Sequence, residues 1–214
     1  RMVAGGHRTE VPIDSVYSGV VSLAGVRIVT LLAELNDMEL WGTDIGNAYL
    51  ESYTKEKVAF IAGPEFGEFN GHTFVILKAM YGLRSSGARW HDRLFDSLSG
   101  MGFTPCKSDP DIWMRACVDH YEYIACYVDD LLIASKKPQG IIDALMAKPN
   151  NYKLKGTGPV TYHLGCDYFR DDDGTLCVGP KAYIERLCLQ YESMFGTKPR
   201  ASYTSPLLPN DHPE

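Results

Sequence analysis

The stretch "EYIACYVDDLLIAS", residues 122–135, sets two adjacent aspartates, Asp129 and Asp130, between two apolar runs. Neighbouring carboxylates repel, and each loses stability when it leaves water without a partner. The flanking runs read as two strands meeting at a turn, and Asp is common in turns. A two-residue hairpin turn nevertheless favours Asn-Gly or Asp-Gly, because it needs positive φ, and Asp-Asp meets that need poorly. The other explanation is a divalent cation: Mg²⁺ takes hard oxygen ligands and is commonly held by one or two carboxylates plus substrate phosphates. On this stretch alone, a solvated turn and a metal site both fit.

Upstream, "MELWGTDI" (38–45) reads as a strand ending near Asp44, and "GNAYLES" as a turn entering a short helix. Asp44 is a third acid for the same cluster, or an exposed strand end or helix cap. A helix is expected over 22–36, with Ser22 as cap and Leu23, Val26, Leu31 and Leu35 near helical spacing. Strands follow at 57–62 and 73–78. From Ser85 onward Trp90, Leu94, Leu98 and Met101 recur at steps of four, four and three, and Gly100 and Gly102 mark the stop. Downstream, "DIWMRACV" (111–118) and "YEYIACYV" (121–128) flank Asp119-His120 as paired strands. "YHLGCDYFRDDDGTLCVG" (162–179) signals a second hairpin with Asp-Gly at its turn. A last helix opens at Pro180, with Ile184, Leu187, Tyr191 and Met194 along one face. The order fits an α+β fold, an antiparallel sheet backed by helices.

The 214 residues, 45% of them hydrophobic, suffice for one sizeable core, or one core with a small satellite lobe. No apolar run approaches the roughly 18–20 residues that span a bilayer, and "RMVAGGHRTE" carries no signal-peptide core, so a soluble protein without membrane contact is expected. Cys106, Cys117, Cys126, Cys166, Cys177 and Cys188 include no C-x-x-C pair, which suggests neither a zinc site nor a disulfide framework, only reduced thiols. A net charge of −6 argues against a protein that simply coats phosphates. It leaves room for a polymerase-like enzyme that gathers acids at a metal and lines one groove with Lys78, Arg84 and Arg89. Both ends read as cut from a longer polypeptide.

In order along the chain, these segments resemble one family. "YVDDLLIAS" is similar to the Y-x-D-D box of reverse transcriptases, and "TDIGNAYL" to their first aspartate motif, in which an aromatic follows the Asp five positions later. "LKAMYGLRSSGARWHDRLFDSLSGMGFTPCKSDPDIWM" and "YHLGCDYFRDDDGTLCVGPKAYIERL" resemble the intervening and primer-grip segments of copia-type LTR retrotransposon polyproteins. The resemblance implies an RNA-directed DNA polymerase of palm and partial fingers. Fingers-like parts would be 1–37 and 51–90, the palm with its primer-grip hairpin 38–50 and 91–179, and a helix and linker toward the thumb 180–214.

It implies two Mg²⁺ ions, with Mn²⁺ as substitute, on Asp44, Asp129 and Asp130, the first two bridging, with the backbone of Ile45 as a further ligand and Val128 beside the ions with no ligand atom assigned. One ion would lower the pKa of the primer 3′-hydroxyl and the other stabilise the pyrophosphate leaving group. Ile45, Asn47, Ala48 and Tyr49 would form the dNTP pocket, Tyr49 excluding a 2′-hydroxyl, and Arg1 would contact phosphate. Arg84, Ser85, Leu164 and Gly165 would meet template and primer, although Ser85 stands where many relatives carry Gln. Gly165 would permit close backbone approach, or serve a plain bulge; Trp90 and Tyr81 would be core. Expected partners are an RNA template, a DNA or tRNA primer, dNTPs, and the RNase H and integrase segments of the same polyprotein. The expected location is the cytoplasm, within virus-like particles. A decayed or domesticated fragment that only binds nucleic acid or protein is the alternative.

Overall fold

The computed structural model describes residues 2–199, so Arg1 and the stretch 200–214 lie outside the described residues. In chain order the elements are α1 (Leu23–Leu35), β1 (Glu39–Ile45), β2 (Ala59–Ile61), β3 (Thr73–Val75), α2 (Ser86–Gly100), β4 (Thr104–Pro105), β5 (Ile112–Ala116), β6 (Tyr121–Tyr127), β7 (Asp130–Ser135), α3 (Pro138–Met146), β8 (Leu154–Pro159), β9 (Tyr162–His163), β10 (Cys166–Arg170), β11 (Leu176–Gly179) and α4 (Lys181–Phe195). Short 3₁₀ turns punctuate them, one at Ala48–Glu51. The chain divides into two compact units between Val160 and Thr161. This is the mixed α and β order read from the sequence. No helix among the described residues is long and apolar enough to cross a membrane.

The first unit is built on a six-stranded sheet in the order β4-β5-β6-β7-β1-β8, and every pairing in it is antiparallel. Successive residues of a strand point to opposite faces, and here both faces are covered. Ile124 and Cys126 of β6 with Leu131 and Ile133 of β7 pack against Trp90, Leu94 and Leu98 of α2 and Ile141, Ile142 and Leu145 of α3. The alternate residues Ala125, Leu132 and Ala134 pack against Val26, Val29 and Ala33 of α1. Burial on both faces is why the runs around the two aspartates are continuously apolar rather than alternating. A separate hairpin, β2 with β3, carries Phe60 and Phe74, whose rings stand 5.8 Å apart.

α1 starts where Ser22 predicts, its hydroxyl accepting from the Gly25 amide at 2.9 Å. Asp109 in turn accepts from the Ser22 amide and hydroxyl, at 3.0 and 2.8 Å, so "SDP" ties the start of α1 to the strand region 87 residues away. The expected buried face of α1 is wrong. Val26 is buried, but Leu23, Leu31 and Leu35 are exposed, and the residues turned inward are Gly25, Val29, Thr30 and Ala33. The helix is apolar nearly all round, so spacing alone does not choose its face.

The second unit holds the three-stranded sheet β11-β10-β9 and α4. Asp167 accepts from the Ala182 amide at 2.8 Å, at the first turn of α4. The Asp173-Gly174 signal sits in a five-residue connection, with Gly174 at φ +86.

Candidate active site

β1 and β7 run side by side in the middle of the six-stranded sheet, and their register puts Asp44 opposite Asp130. Residues opposite one another on an antiparallel pair project from the same face, so the two carboxylates are neighbours. β6 pairs Tyr127 with Asp130, so the tight turn is Val128-Asp129 rather than Asp129-Asp130, one residue earlier than the sequence suggests. The positive φ that Asp-Asp would supply poorly is adopted by Val128, at +57°. A β-branched residue there is a genuine outlier, costing on the order of 1–3 kcal/mol, and persists only where its surroundings over-determine it.

Those surroundings are visible. Trp90 Nε1 donates to the Val128 carbonyl at 2.6 Å, and the Ile45 amide donates to the Asp129 carbonyl at 2.8 Å. The Val128 side chain packs against the main core. Trp90, expected as core, is fully buried and also holds this turn. Val128, expected among the metal-site residues, uses its carbonyl to accept from that indole.

All three aspartates are half-buried. Burial, then the charges of Asp129 and Asp44, raise the Asp130 carboxyl above its ordinary value. On the other side of β1, Lys155 of β8 lies opposite Asp44 in register. Sequence reasoning missed Lys155, because "KLKGTG" carries no strand pattern. Gly46 follows directly: its amide donates to the Lys153 carbonyl at 2.8 Å, and a Cβ there would stand 3.1 Å from that oxygen and from the Lys155 side chain. This close approach leaves little room for a side chain.

Of the residues expected around a nucleotide, Ile45 and Ala48 are fully buried, and Asn47 is exposed in the left-handed region at φ +57. Tyr49 is half-buried, packed on the core with its ring centroid 4.6 Å from that of Tyr81. Asn47 and Tyr81 border an open cavity of about 540 Å³ whose other wall includes Phe60, Phe66 and Phe74.

The expected groove cations are engaged elsewhere. Lys78 lies over the Tyr53 ring at 3.9 Å, Arg84 Nε donates to the Gly6 carbonyl at 2.9 Å, and Arg89 is buried against Asp14 and Asp92 at 3.7 and 3.4 Å. Ser85 is buried and its hydroxyl donates to Glu56. In the second unit Leu164 and Gly165 form the two-residue turn between His163 and Cys166, at φ +48 and +85. Nothing lies within 4 Å of a Cβ built at Gly165, so backbone conformation, not close approach, calls for glycine. Arg1 falls outside the described residues.

A sequence model of the family described as reverse transcriptase (RNA-dependent DNA polymerase) matches residues 1–205. The chain belongs to the reverse transcriptase family. It is 26% identical over 195 residues to the "Retrovirus-related Pol polyprotein from transposon TNT 1-94" of Nicotiana tabacum, covering 88% of this chain and 14% of that polyprotein. To the corresponding polyprotein from transposon RE1 of Arabidopsis thaliana it is 27% identical over 214 residues, 98% of this chain and 14% of the relative. The "Putative transposon Ty5-1 protein" of Saccharomyces cerevisiae is 27% identical over 177 residues, 77% of this chain and 57% of the relative. This reverse transcriptase chain thus spans only part of the length of the relatives it matches. The copia-type resemblance of the ordered motifs agrees with these matches.

Proposed function

We propose that this chain is the polymerising part of a copia-type retrotransposon Pol polyprotein, an RNA-directed DNA polymerase that extends a primer with dNTPs. The observation that carries the reading is Asp44 in register with Asp130, beside a strained turn that presents Asp129. The six-stranded unit corresponds to the palm, the β2–β3 hairpin to fingers, and the Leu164-Gly165 hairpin to the primer grip.

Half-buried carboxylates with no softer donor among them fit a hard divalent ion, Mg²⁺ or Mn²⁺. Asp44, Asp129 and Asp130 would hold it. Bound there, divalent ions would supply Lewis-acid activation of the attacking 3′-hydroxyl and charge stabilisation of the leaving pyrophosphate. The protein's own part is positioning. Trp90 and the Ile45 amide fix where Asp129 points, and pairing with β7 and β8 on either side fixes Asp44. Tyr49, held by Tyr81, is the candidate for excluding a 2′-hydroxyl.

The test is primer extension on an RNA template with Mg²⁺, parent against Asp129→Asn, carried out both on this chain and on a longer segment of its polyprotein. Incorporation by the parent and none by the variant is the expected result. Equal incorporation by both sinks the aspartate assignment.

A second reading, a fragment that keeps the fold and acts by protein binding without polymerising, is favoured by the engagement of Lys78, Arg84 and Arg89 within the protein and by the −6 charge. The absence of both incorporation and salt-sensitive primer-template binding in the parent, in the longer segment too, distinguishes it.

A further inference from the structure

The cysteine spacing gave no reason to expect a soft metal site, but the fold assembles one from Cys-x-x-His rather than Cys-x-x-Cys. Cys117 and His120 flank the two-residue loop Val118-Asp119 between β5 and β6, closed by the Cys117 amide donating to the His120 carbonyl at 2.8 Å. Glu122 follows two residues after His120. Among the described residues these three form the one group of metal-ligating side chains whose ligand atoms all lie within 4.8 Å of one another. The three aspartates of the candidate active site are spread more widely.

The second observation is the histidine itself. Its Nδ1 meets Asp119 Oδ1 at 2.6 Å, while its Nε2 is buried with no hydrogen-bond partner. An imidazole that donates from Nδ1 to a carboxylate presents the Nε2 lone pair, which is how metal-bound histidines are oriented. A buried nitrogen without a partner otherwise costs on the order of 1–3 kcal/mol. Glu122 retains ligand capacity: Oε2 accepts two Arg115 nitrogens at 3.0 and 2.6 Å, Oε1 accepts Ser135 Oγ at 2.6 Å, and the remaining partner of the carboxylate is the Cys117 thiol itself.

We propose that Cys117, His120 and Glu122 bind Zn²⁺, with water as fourth ligand and Asp119 orienting His120. A thiolate, an imidazole and a carboxylate suit this ion. Bonds of about 2.0–2.3 Å put tetrahedral ligand atoms roughly 3.3–3.8 Å apart, so separations within 4.8 Å shorten by up to about 1.5 Å. The thiol, now hydrogen-bonded to Glu122, gives up its proton to solvent as the ion takes that place. Solvent reaches the site beside the fully exposed Val118. The inference does not depend on the polymerase reading.

The test is a Co²⁺ titration of the reduced, metal-stripped chain in excess Mg²⁺, followed by thiolate-to-cobalt charge-transfer absorption and by competition with Zn²⁺. One equivalent of Co²⁺, with a band displaced by Zn²⁺, is expected in the parent and in Asp129→Asn. Cys117→Ser should lose the band, His120→Gln should lose most of the affinity, and Asp119→Asn should weaken binding by about 10–100-fold. Absence of the band in the parent overturns the proposal. So does a band that survives Cys117→Ser, parent affinity in His120→Gln, or a band lost in Asp129→Asn. Should Cys117→Ser not fold, His120→Gln decides.

Discussion

Two hairpins of this chain, β6–β7 and β9–β10, turn through two residues and place an apolar side chain at positive φ: Val128 at +57 and Leu164 at +48. They differ in what holds them there. The first turn is clamped through both of its carbonyls, Val128 by the Trp90 indole and Asp129 by the Ile45 amide, and rests on the core. The second is exposed, and only its other residue, Gly165, takes its positive φ without steric cost. Strain in the clamped turn aims a carboxylate. Strain in the open turn leaves a hydrophobic side chain in solvent, which suits contact with something outside the chain.

The difference is broken most severely at Asp129. Asp129→Asn should abolish incorporation while the melting temperature holds or rises, since one charge leaves a crowded acidic group. Mg²⁺ should stabilise the parent more than the variant, by about 2.7 kcal/mol at a concentration one hundred times the dissociation constant. Equal Mg²⁺ shifts in a thermal melt remove the metal assignment.

Next in size are opposite pH responses beside the two turns. Burial lowers His163, just before the open turn, from 6.5 to about 4. Its folded state resists protonation, so the stability it contributes is complete above pH 6.5 and is lost as pH falls toward 4, at up to about 1.4 kcal/mol per pH unit. Asp130, just after the clamped turn, is shifted upward by burial, Asp129 and Asp44, so its carboxyl favours folding in acid and loses that contribution as pH rises through its raised value. Amide exchange followed from pH 7 to 4.5 should show β9 and β10 opening more readily, and His163→Asn should flatten that slope. A slope unchanged in the variant would assign it to another group.

Trp90→Phe keeps the ring but withdraws the donor from Val128. A loss of about 1–3 kcal/mol is expected from leaving a buried carbonyl unsatisfied, with incorporation falling by more than stability does. A variant that loses stability but keeps its rate would make Trp90 a packing residue alone.

The smallest effect belongs to Leu164→Asn, because Asn tolerates the left-handed region and Leu164 has little packing to lose. A gain of up to about 1 kcal/mol in urea unfolding is expected. Val128→Asn should instead destabilise, because that side chain contributes to the core. If both substitutions act alike, the two turns are equivalent after all.

Where residues interact with near neighbours, the sequence was a good guide. The period of α2, the serine cap of α1 and the continuous apolar runs of β6 and β7 each give their element directly. α1 was legible as a helix but not as a face, being apolar on both sides. α3 and β8 left little trace: α3 is a short helix with the poor helix former Gly140 in its first turn, and β8 carries Gly156, Gly158 and Pro159, all poor strand formers. The aspartates could be picked out because like charges in an apolar segment demand a reason. Their turn was misplaced by one residue, since no local preference sends valine to positive φ. Lys78, Arg84 and Arg89 looked free because Tyr53, Gly6 and Asp14 are brought to them only by folding.

The central pairing of β1 with β7 has a temporal consequence. Asp44 and Asp130 are separated by 130 − 44 = 86 residues. At roughly 5–20 residues per second, translation takes about 4–17 s to supply that interval, and until then β1 has no neighbour on either side, because β8 comes later still. The strand that carries the first aspartate must therefore wait, unpaired, among β2, β3 and α2. Closing so long a loop late makes assembly slow relative to helical proteins of this size. The nascent chain thus acquires its candidate metal site in one late step, when β7 emerges and the sheet closes around it.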